Sequence, residues 1–271
     1  MALKKPEKAY KNLKFLNSPA ARELRILAEY VEPRSRFEKH KVVDTVVVFG
    51  SARLMSKEDA EKNLEQVKKH SKAGSPELKK AEITLKNSRY FEDAVEFSRR
   101  ITAWSQEHFK HENRFTICTG GGPGIMEAGN KGAHLAGGKS IGLNISLPFE
   151  QFANPFIEDD LNFEFHYFFM RKFWFAYLAK AFVIFPGGFG TIDELAEILT
   201  LVQTGKIKKG MKILIYDKAF WDQILNFDAL VENGVISPED RELYTICESV
   251  DELEKELITH LESIKDKPKL M

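Results

Sequence analysis

The chain is poor in the features that mark secreted, membrane-spanning and nucleic-acid-binding proteins. It has two cysteines in 271 residues, Cys118 and Cys247, whereas a disulfide scaffold has more of them in a shorter chain. No apolar run approaches the roughly 20 residues that a membrane helix needs, and the basic N-terminus lacks the apolar stretch of a signal peptide. Lys plus Arg and Asp plus Glu both number 40, so the formal net charge is zero and the usual footprint of a nucleic-acid binder is missing. We therefore expect a cytoplasmic protein with two reduced thiols, binding neither nucleic acid nor membranes.

The hydrophobic content, 43%, is enough for the core of one large α/β domain or two small ones. Apolar, β-branched runs typical of buried parallel strands alternate with amphipathic segments. Strands are predicted at residues 45–50, 115–119, 139–145, 181–185 and 212–216. This alternation predicts an α/β fold with a doubly wound parallel sheet flanked by helices.

Two charged regions lie outside this alternation. In residues 1–40, Ser18 and Pro19 form a helix start, and Pro33 should stop the helix. We expect this N-terminal helical extension to pack on the domain or on another subunit. Residues 41–271 are predicted to form a single domain, with a solvent-facing helical insertion at about residues 56–88. A further helix is expected at about residues 219–232.

Two strands end in glycine-rich turns that open directly into helices, GGGPG at residues 120–124 and PGGFG at residues 186–190. Glycine lets the backbone approach a ligand, and the free N–H groups of a helix's first turn attract an anion. Neither turn matches the dinucleotide fingerprint or the P-loop. A tight connection between strand and helix is the alternative for each turn taken singly, but two such turns in one sheet favour a phosphate site.

Glu194 has two interpretations. Thr191 and Glu194 fit a capping box, with Thr at the N-cap and Glu at N3, so that Glu194 could simply bond back to the Thr191 backbone. Alternatively, Glu194 lies one turn into the helix and faces the ligand as a carboxylate. The pattern alone leaves both open.

At these residues the sequence resembles a known family. PGGFGTIDE at residues 186–194 is similar to the PGGxGTxxE signature of the LOG family, cytokinin riboside 5′-monophosphate phosphoribohydrolases once labelled lysine decarboxylase-like. GGGPGIMEAGNKGA at residues 120–133, FGSAR at residues 49–53 and the pair Arg171-Lys172 match further family segments. The likeness covers roughly residues 42–230, and residues 142–156 resemble the longer bacterial members.

The resemblance implies a Rossmann-like fold, no metal, no organic cofactor, and AMP or a related nucleotide as ligand. It also implies a homodimer as the basic unit, with hexamers among longer members. The catalytic pair would be Arg171 and Glu194. The phosphate would lie on Gly187, Gly188, Gly190 and Thr191. The rest of the pocket would be lined by Ser51, Arg53, Gly121, Gly122 and Gly124. Met126 could face the core or the base, and Lys172 could contact phosphate or face solvent.

The chemistry implied is hydrolysis of the N-glycosidic bond. Positive charge develops on the anomeric carbon, as in glycoside hydrolysis, and Glu194 could stabilise that charge or orient the attacking water. Arg171 would position Glu194 or the nucleotide. Two rivals share the scaffold: a non-catalytic nucleotide- or molybdenum-cofactor-binding protein, and a nucleotide-sensing regulator. A lysine decarboxylase usually uses pyridoxal phosphate on a Schiff-base lysine, and the sequence gives that reaction little support.

Overall fold

The computed structural model describes residues 5–110, 112–147, 152–208 and 210–265, which form a seven-stranded sheet in which every paired neighbour is parallel. The strands are β1 (Thr45–Phe49), β2 (Thr116–Thr119), β3 (Ser140–Ile145), β4 (Asn162–Phe165), β5 (Ala179–Ile184), β6 (Lys212–Tyr216) and β7 (Thr245–Cys247). Their spatial order is β4-β3-β2-β1-β5-β6-β7. The predicted doubly wound parallel sheet is confirmed, with β1 at its centre.

Helices cover both faces of the sheet. They are α1 (Leu13–Leu16), α2 (Arg22–Lys39), α3 (Lys57–His70), α4 (Pro76–Asn87), α5 (Arg89–His108), α6 (Ile125–Leu135), α7 (Phe168–Leu178), α8 (Phe189–Gln203), α9 (Lys218–Ile224), α10 (Phe227–Glu232) and α11 (Val250–Ile264). Side chains of β1 alternate between two cores: Val47 packs with α2, α7 and α8, while Val48 packs with α5, α6 and α11. Both faces of the central strand are therefore buried, as its unbroken apolar sequence requires.

The charged region after β1 forms α3 and α4. Ser75 caps α4 by accepting a hydrogen bond from the Leu78 amide at 3.2 Å, and Pro76 occupies the first helical position. One alanine in each helix, Ala60 and Ala81, is buried. The division of the chain into extension, single domain and insertion stays a prediction.

The expectation that Pro33 stops the N-terminal helix is wrong, because α2 continues through Pro33 to Lys39. A proline inside a helix leaves the carbonyl four residues earlier without its usual donor. Here that carbonyl, on Glu29, accepts a hydrogen bond from the Trp174 indole N–H at 2.9 Å. A contact from α7 thus replaces the missing bond.

Two further local differences concern shorter segments. The aromatic segment after residue 162 begins with an edge strand, β4, which the sequence reading did not separate from the helix. The helix predicted at about residues 219–232 is two helices, because Asn226 caps a new one at Phe227. The loop predicted at residues 147–156 lies partly outside the described residues. Among the described helices, none is both long and apolar enough to cross a bilayer.

Candidate functional site

The two glycine-rich turns meet at the carboxyl end of the central strand. β1 pairs with β2 on one side and with β5 on the other, so the connections leave it in opposite directions. Just beyond the strands, the Ser51 amide donates to the Pro186 carbonyl at 3.0 Å and the Ile125 amide donates to the Ser51 carbonyl at 3.1 Å. Both turns therefore flank one topological switch point, where doubly wound sheets bind ligands.

A pocket of about 750 Å³ opens at this point, and we call it the central pocket. It is lined by residues 49–53 after β1, by Gly120 and Met126 of the first glycine turn and its helix, by Phe168 and Arg171 of α7, by residues 187–194 and by Ile224. This volume is within the range of small-molecule sites.

One wall of the central pocket is the N-terminus of α8. The helix begins at Phe189, and its N-cap residue, Gly188, supplies no side-chain hydrogen bond. Gly187 must be glycine, because a Cβ there would lie 2.1 Å from the Thr191 hydroxyl oxygen. The uncapped N–H groups and the helix dipole make this end of α8 suited to an anion.

The capping-box interpretation of Glu194 is wrong. Because α8 begins at Phe189, Thr191 is already inside the helix rather than at its N-cap. The Thr191 side chain packs against Gly187 and is buried. Glu194 therefore lies in the second turn, where its carboxylate is available to the central pocket.

The other glycine turn lies beside the central pocket, and its part in ligand binding stays a prediction. Gly121, Gly122 and Gly124 do not line the central pocket. The carbonyls of Gly121 and Gly122 accept hydrogen bonds from Asn154, and Gly124 is the N-cap of α6. These three glycines shape the connection from β2 to α6, while the neighbouring Gly120 reaches the pocket.

Arg171 enters the central pocket from α7 and is largely buried. Its Nε donates to the Leu143 carbonyl at 2.7 Å, and its guanidinium lies over the Phe175 ring at 5.1 Å. Gly120 makes room for it, because a Cβ there would lie 2.5 Å from Arg171 Nη2. Burial lowers the pKa of Arg171, and the charge of Glu194 opposes that shift. An arginine nonetheless stays cationic, so the pocket holds a fixed, oriented positive group.

Glu194 is a largely buried acid in the wall of the central pocket. Its side chain is 12% exposed, and burial raises its pKa to about 6 against the opposing charges of Lys172 and Arg171. At neutral pH it is therefore mainly a carboxylate, but a poorly solvated one. Such a group can stabilise a neighbouring cation or take a proton from water.

Lys172 is not among the residues that line the central pocket, and it is only partly exposed. Its side chain is 17% exposed, and its Nζ lies 2.7 Å from Asp193, 2.5 Å from Glu197 and 3.6 Å from Glu194. Burial by itself would lower the pKa of Lys172, but these carboxylates raise it overall. Three surrounding carboxylates would repel a phosphate, so the phosphate-contact interpretation of Lys172 finds no support here.

The structure thus brings most predicted site residues together. Lining the central pocket are Arg171, Glu194, Met126, Ser51, Arg53, Gly187, Gly188, Gly190 and Thr191. Met126, whose orientation was open, is among them. The sequence reading missed Gly120, Phe168, Phe189 and Ile224. Phe168 could have been suspected, because it lies one helical turn before Arg171 on the same predicted segment. Only the structure shows that it lines the pocket.

Comparison with known proteins gives one family and several related enzymes. The family model described as "Possible lysine decarboxylase" matches residues 126–257. The cytokinin riboside 5′-monophosphate phosphoribohydrolase LOG3 of Arabidopsis thaliana is 30% identical over 175 residues, which cover 64% of this chain and 76% of that protein. The LOG7 enzyme of the same plant is 31% identical over 150 residues, covering 54% and 67%.

Solved structures of similar architecture include two molybdenum-cofactor proteins. The molybdenum cofactor binding protein of Rippkaea orientalis has 17% identity and a TM-score of 0.46, over 80% of this chain and 98% of that chain. The Moco carrier protein of Chlamydomonas reinhardtii has 16% identity and a TM-score of 0.47, over 82% and 99%.

Proposed function

Since this chain belongs to the LOG family, we propose that it hydrolyses the N-glycosidic bond of a purine nucleoside 5′-monophosphate, AMP or a cytokinin riboside monophosphate, to the free base and ribose 5-phosphate. The observation that carries the proposal is the wall of the central pocket. It combines a largely buried carboxylate, Glu194, and a largely buried guanidinium, Arg171, with an uncapped helix N-terminus. Binding a nucleotide needs the helix end, but it does not need the buried charged pair.

The 5′-phosphate is assigned to the start of α8. Gly187, Gly188, Gly190 and Thr191 line the pocket there, and backbone N–H groups together with the helix dipole favour an anion. The phosphate is remote from the bond that breaks. Its binding energy can therefore orient the ribose against Glu194 instead of merely lowering KM.

The reaction consumes water. The bond between the anomeric carbon and the purine nitrogen breaks with its electron pair going to the base, and the oxygen of water adds to the carbon. One proton of that water is released and the purine nitrogen gains one. Glu194, mainly ionised at neutral pH, is proposed to stabilise the cationic carbon and to take the proton from water, which is worth about 10²–10⁴-fold. Arg171, fixed by the Leu143 carbonyl, is proposed to orient the nucleotide or Glu194.

The remaining walls suit the sugar and the base. Ser51 and Arg53 follow β1 and line the pocket, and they are assigned to the sugar. Met126 and Phe168 offer apolar surface. Phe168 is 52% exposed, so a purine could cover it. No metal or organic cofactor is part of the proposal.

The proposed working unit is a homodimer, on which hexamers would build. The faces of α2 and α7 carry an apolar patch that includes Leu27, Val31 and Phe169, whose side chains are about half exposed. A groove between the two helices is lined by Ile26, Leu27, Tyr30, Phe169, Met170 and Phe173 together with Glu23. Contiguous apolar surface of this kind marks an association site. A monomer by light scattering at micromolar concentration would contradict this assignment.

Cys118 and Cys247 are buried free thiols, which suits the proposed cytoplasmic location.

The proposed phosphate site is tested by comparing AMP with adenosine. The two molecules share the scissile bond, but adenosine lacks the group that the start of α8 would hold. We expect kcat/KM for AMP to exceed that for adenosine by at least 10²-fold, with free adenine as the product of both. Equal values would contradict the phosphate site.

A further inference from the structure

Lys172 is the side chain near the catalytic pair whose position the proposed reaction leaves unexplained. It follows Arg171 on α7, yet it does not line the central pocket. Its ammonium is instead held among three carboxylates of α8. The proposed reaction assigns it no contact with the nucleotide.

The contacts of Lys172 are unequal. Its Nζ pairs closely with Asp193 at 2.7 Å and Glu197 at 2.5 Å, whose side chains are 62% and 37% exposed. It remains 3.6 Å from the buried Glu194. Within the part of the chain that the structure describes, it is the cation found at ion-pair distance from Glu194. The two outer carboxylates thus draw the ammonium away from a tight pair with the inner one.

This arrangement has an electrostatic consequence for Glu194. An opposite charge within about 4–6 Å favours the ionised form of a carboxyl group. A direct, short ion pair would go further and occupy the oxygens that must face the reacting carbon. Lys172 is near enough for the first effect and too far for the second.

We propose that Lys172 is a positioning residue, which keeps Glu194 ionised at the wall of the central pocket without tying up its oxygens. Glu197 and Asp193 are its anchors. The charged groups around Glu194 are then Arg171 and Lys172 of α7 and the two anchors of α8, and Arg53 also lines the pocket. The inference rests on the proposed function only in naming Glu194 as the reacting carboxylate.

The experiment titrates Glu194 directly and the reaction separately. Protein labelled with ¹³C at the glutamate carboxyl carbons is followed by NMR from pH 4 to 9, and the Glu194 signal is assigned by its loss in Glu194→Gln. The pH profile of kcat/KM for AMP is measured alongside. The variants are Lys172→Met, Lys172→Arg and Glu197→Gln. Lys212→Met serves as the matched control, because it removes another partly buried lysine, paired with Glu256 at 2.8 Å, on β6.

Removing the charge of Lys172 and removing the charge of Glu197 should shift the titration midpoint of Glu194 in opposite directions. Lys172→Met should raise the titration midpoint of Glu194 by about one pH unit or more, and the acid limb of the profile should move with it. Glu197→Gln should lower both, because it removes a like charge and releases the ammonium toward Glu194. Lys172→Arg should remain near wild type, and Lys212→Met should not differ from it.

Ribose 5-phosphate binding at pH 8 separates this role from phosphate contact. Affinity should be unchanged in Lys172→Met if Lys172 acts through Glu194, and should fall at every pH if Lys172 holds the phosphate. An unshifted Glu194 signal in Lys172→Met, or a loss of ribose 5-phosphate affinity, would overturn the inference. If the wild type cleaves no nucleotide, the NMR titration still decides the role of Lys172 while the proposed function fails.

Discussion

Replacing Glu194 by Gln should make the protein more stable and nearly inactive. Glutamine keeps the size of the side chain and removes the charge. In the folded protein the pKa of Glu194 is raised from 4.5 to about 6 because the carboxyl group is buried. At 1.36 kcal/mol per pKa unit, ionising this group in the folded state is disfavoured by about 2 kcal/mol at neutral pH. Glu194→Gln has no group to ionise at this position, so this unfavourable contribution to the free energy of folding is absent.

The gain should depend on pH in a defined direction. Between pH 4.5 and 6 the folded wild type binds more protons at Glu194 than the unfolded chain does, so its stability falls as pH rises through that window. Below pH 4.5 the two proteins should differ little at this site. At pH 7 and above, Glu194→Gln should be more stable by up to about 2 kcal/mol, which is a few degrees in melting temperature.

Two assays on this one variant check the reasoning. Thermal melts at pH 5 and pH 8 measure the stability difference, and release of adenine from AMP measures turnover. Turnover should fall by about 10² or more, the scale for loss of an acid–base group. In the wild type the acid limb of kcat/KM should lie near pH 6. Near-normal turnover in Glu194→Gln would remove Glu194 from the mechanism. An equal rise in melting temperature at both pH values would contradict the burial of Glu194 as a poorly solvated carboxylate.

Three further predictions concern the start of α8, the apolar wall of the central pocket and the dimer contact. Gly187→Ala should destabilise the protein by about 1–3 kcal/mol, the scale of overpacking, because the added methyl would lie 2.1 Å from a threonine oxygen. It should also weaken AMP binding. In the control Gly190→Ala the methyl meets open space, so the melting temperature should not fall. Phe168→Ala should weaken binding of AMP but not of ribose 5-phosphate by calorimetry, whereas Phe169→Ala, on the same helix but outside the pocket, should leave AMP affinity unchanged. Leu27→Asp should shift the light-scattering mass toward the monomer, and an unchanged mass would place the dimer contact elsewhere.

The fold could be predicted from the sequence where a local pattern of residues determines the structure. Unbroken apolar runs such as residues 46–49 and 213–216, short and rich in β-branched and aromatic side chains, favour central parallel strands buried on both faces. Glycine turns at the ends of two strands then had to lie at one edge of the sheet. The family resemblance predicted that Arg171 and Glu194 act together, and the structure places both at one pocket.

The errors arose where a tertiary contact replaces a local rule. Pro33 does not end α2, because the Trp174 indole from α7 takes up the carbonyl that proline leaves free. Thr191 carries a capping pattern, but the glycines before it let the helix begin earlier. Lys172 follows Arg171 in sequence, and its position, which the sequence left open, is set by three carboxylates of α8 around its ammonium. None of these three outcomes can be obtained from spacing along the chain.

The central claim is tested most directly by the products formed from AMP. Purified protein is incubated with AMP, and adenine, ribose 5-phosphate, adenosine and inorganic phosphate are quantified by chromatography over time. We predict adenine and ribose 5-phosphate in equal amounts, neither adenosine nor phosphate, and loss of both products in Arg171→Ala. Tight binding of AMP with no adenine released, from AMP or from a cytokinin riboside monophosphate offered in its place, would contradict hydrolysis and favour a carrier or sensor on this scaffold.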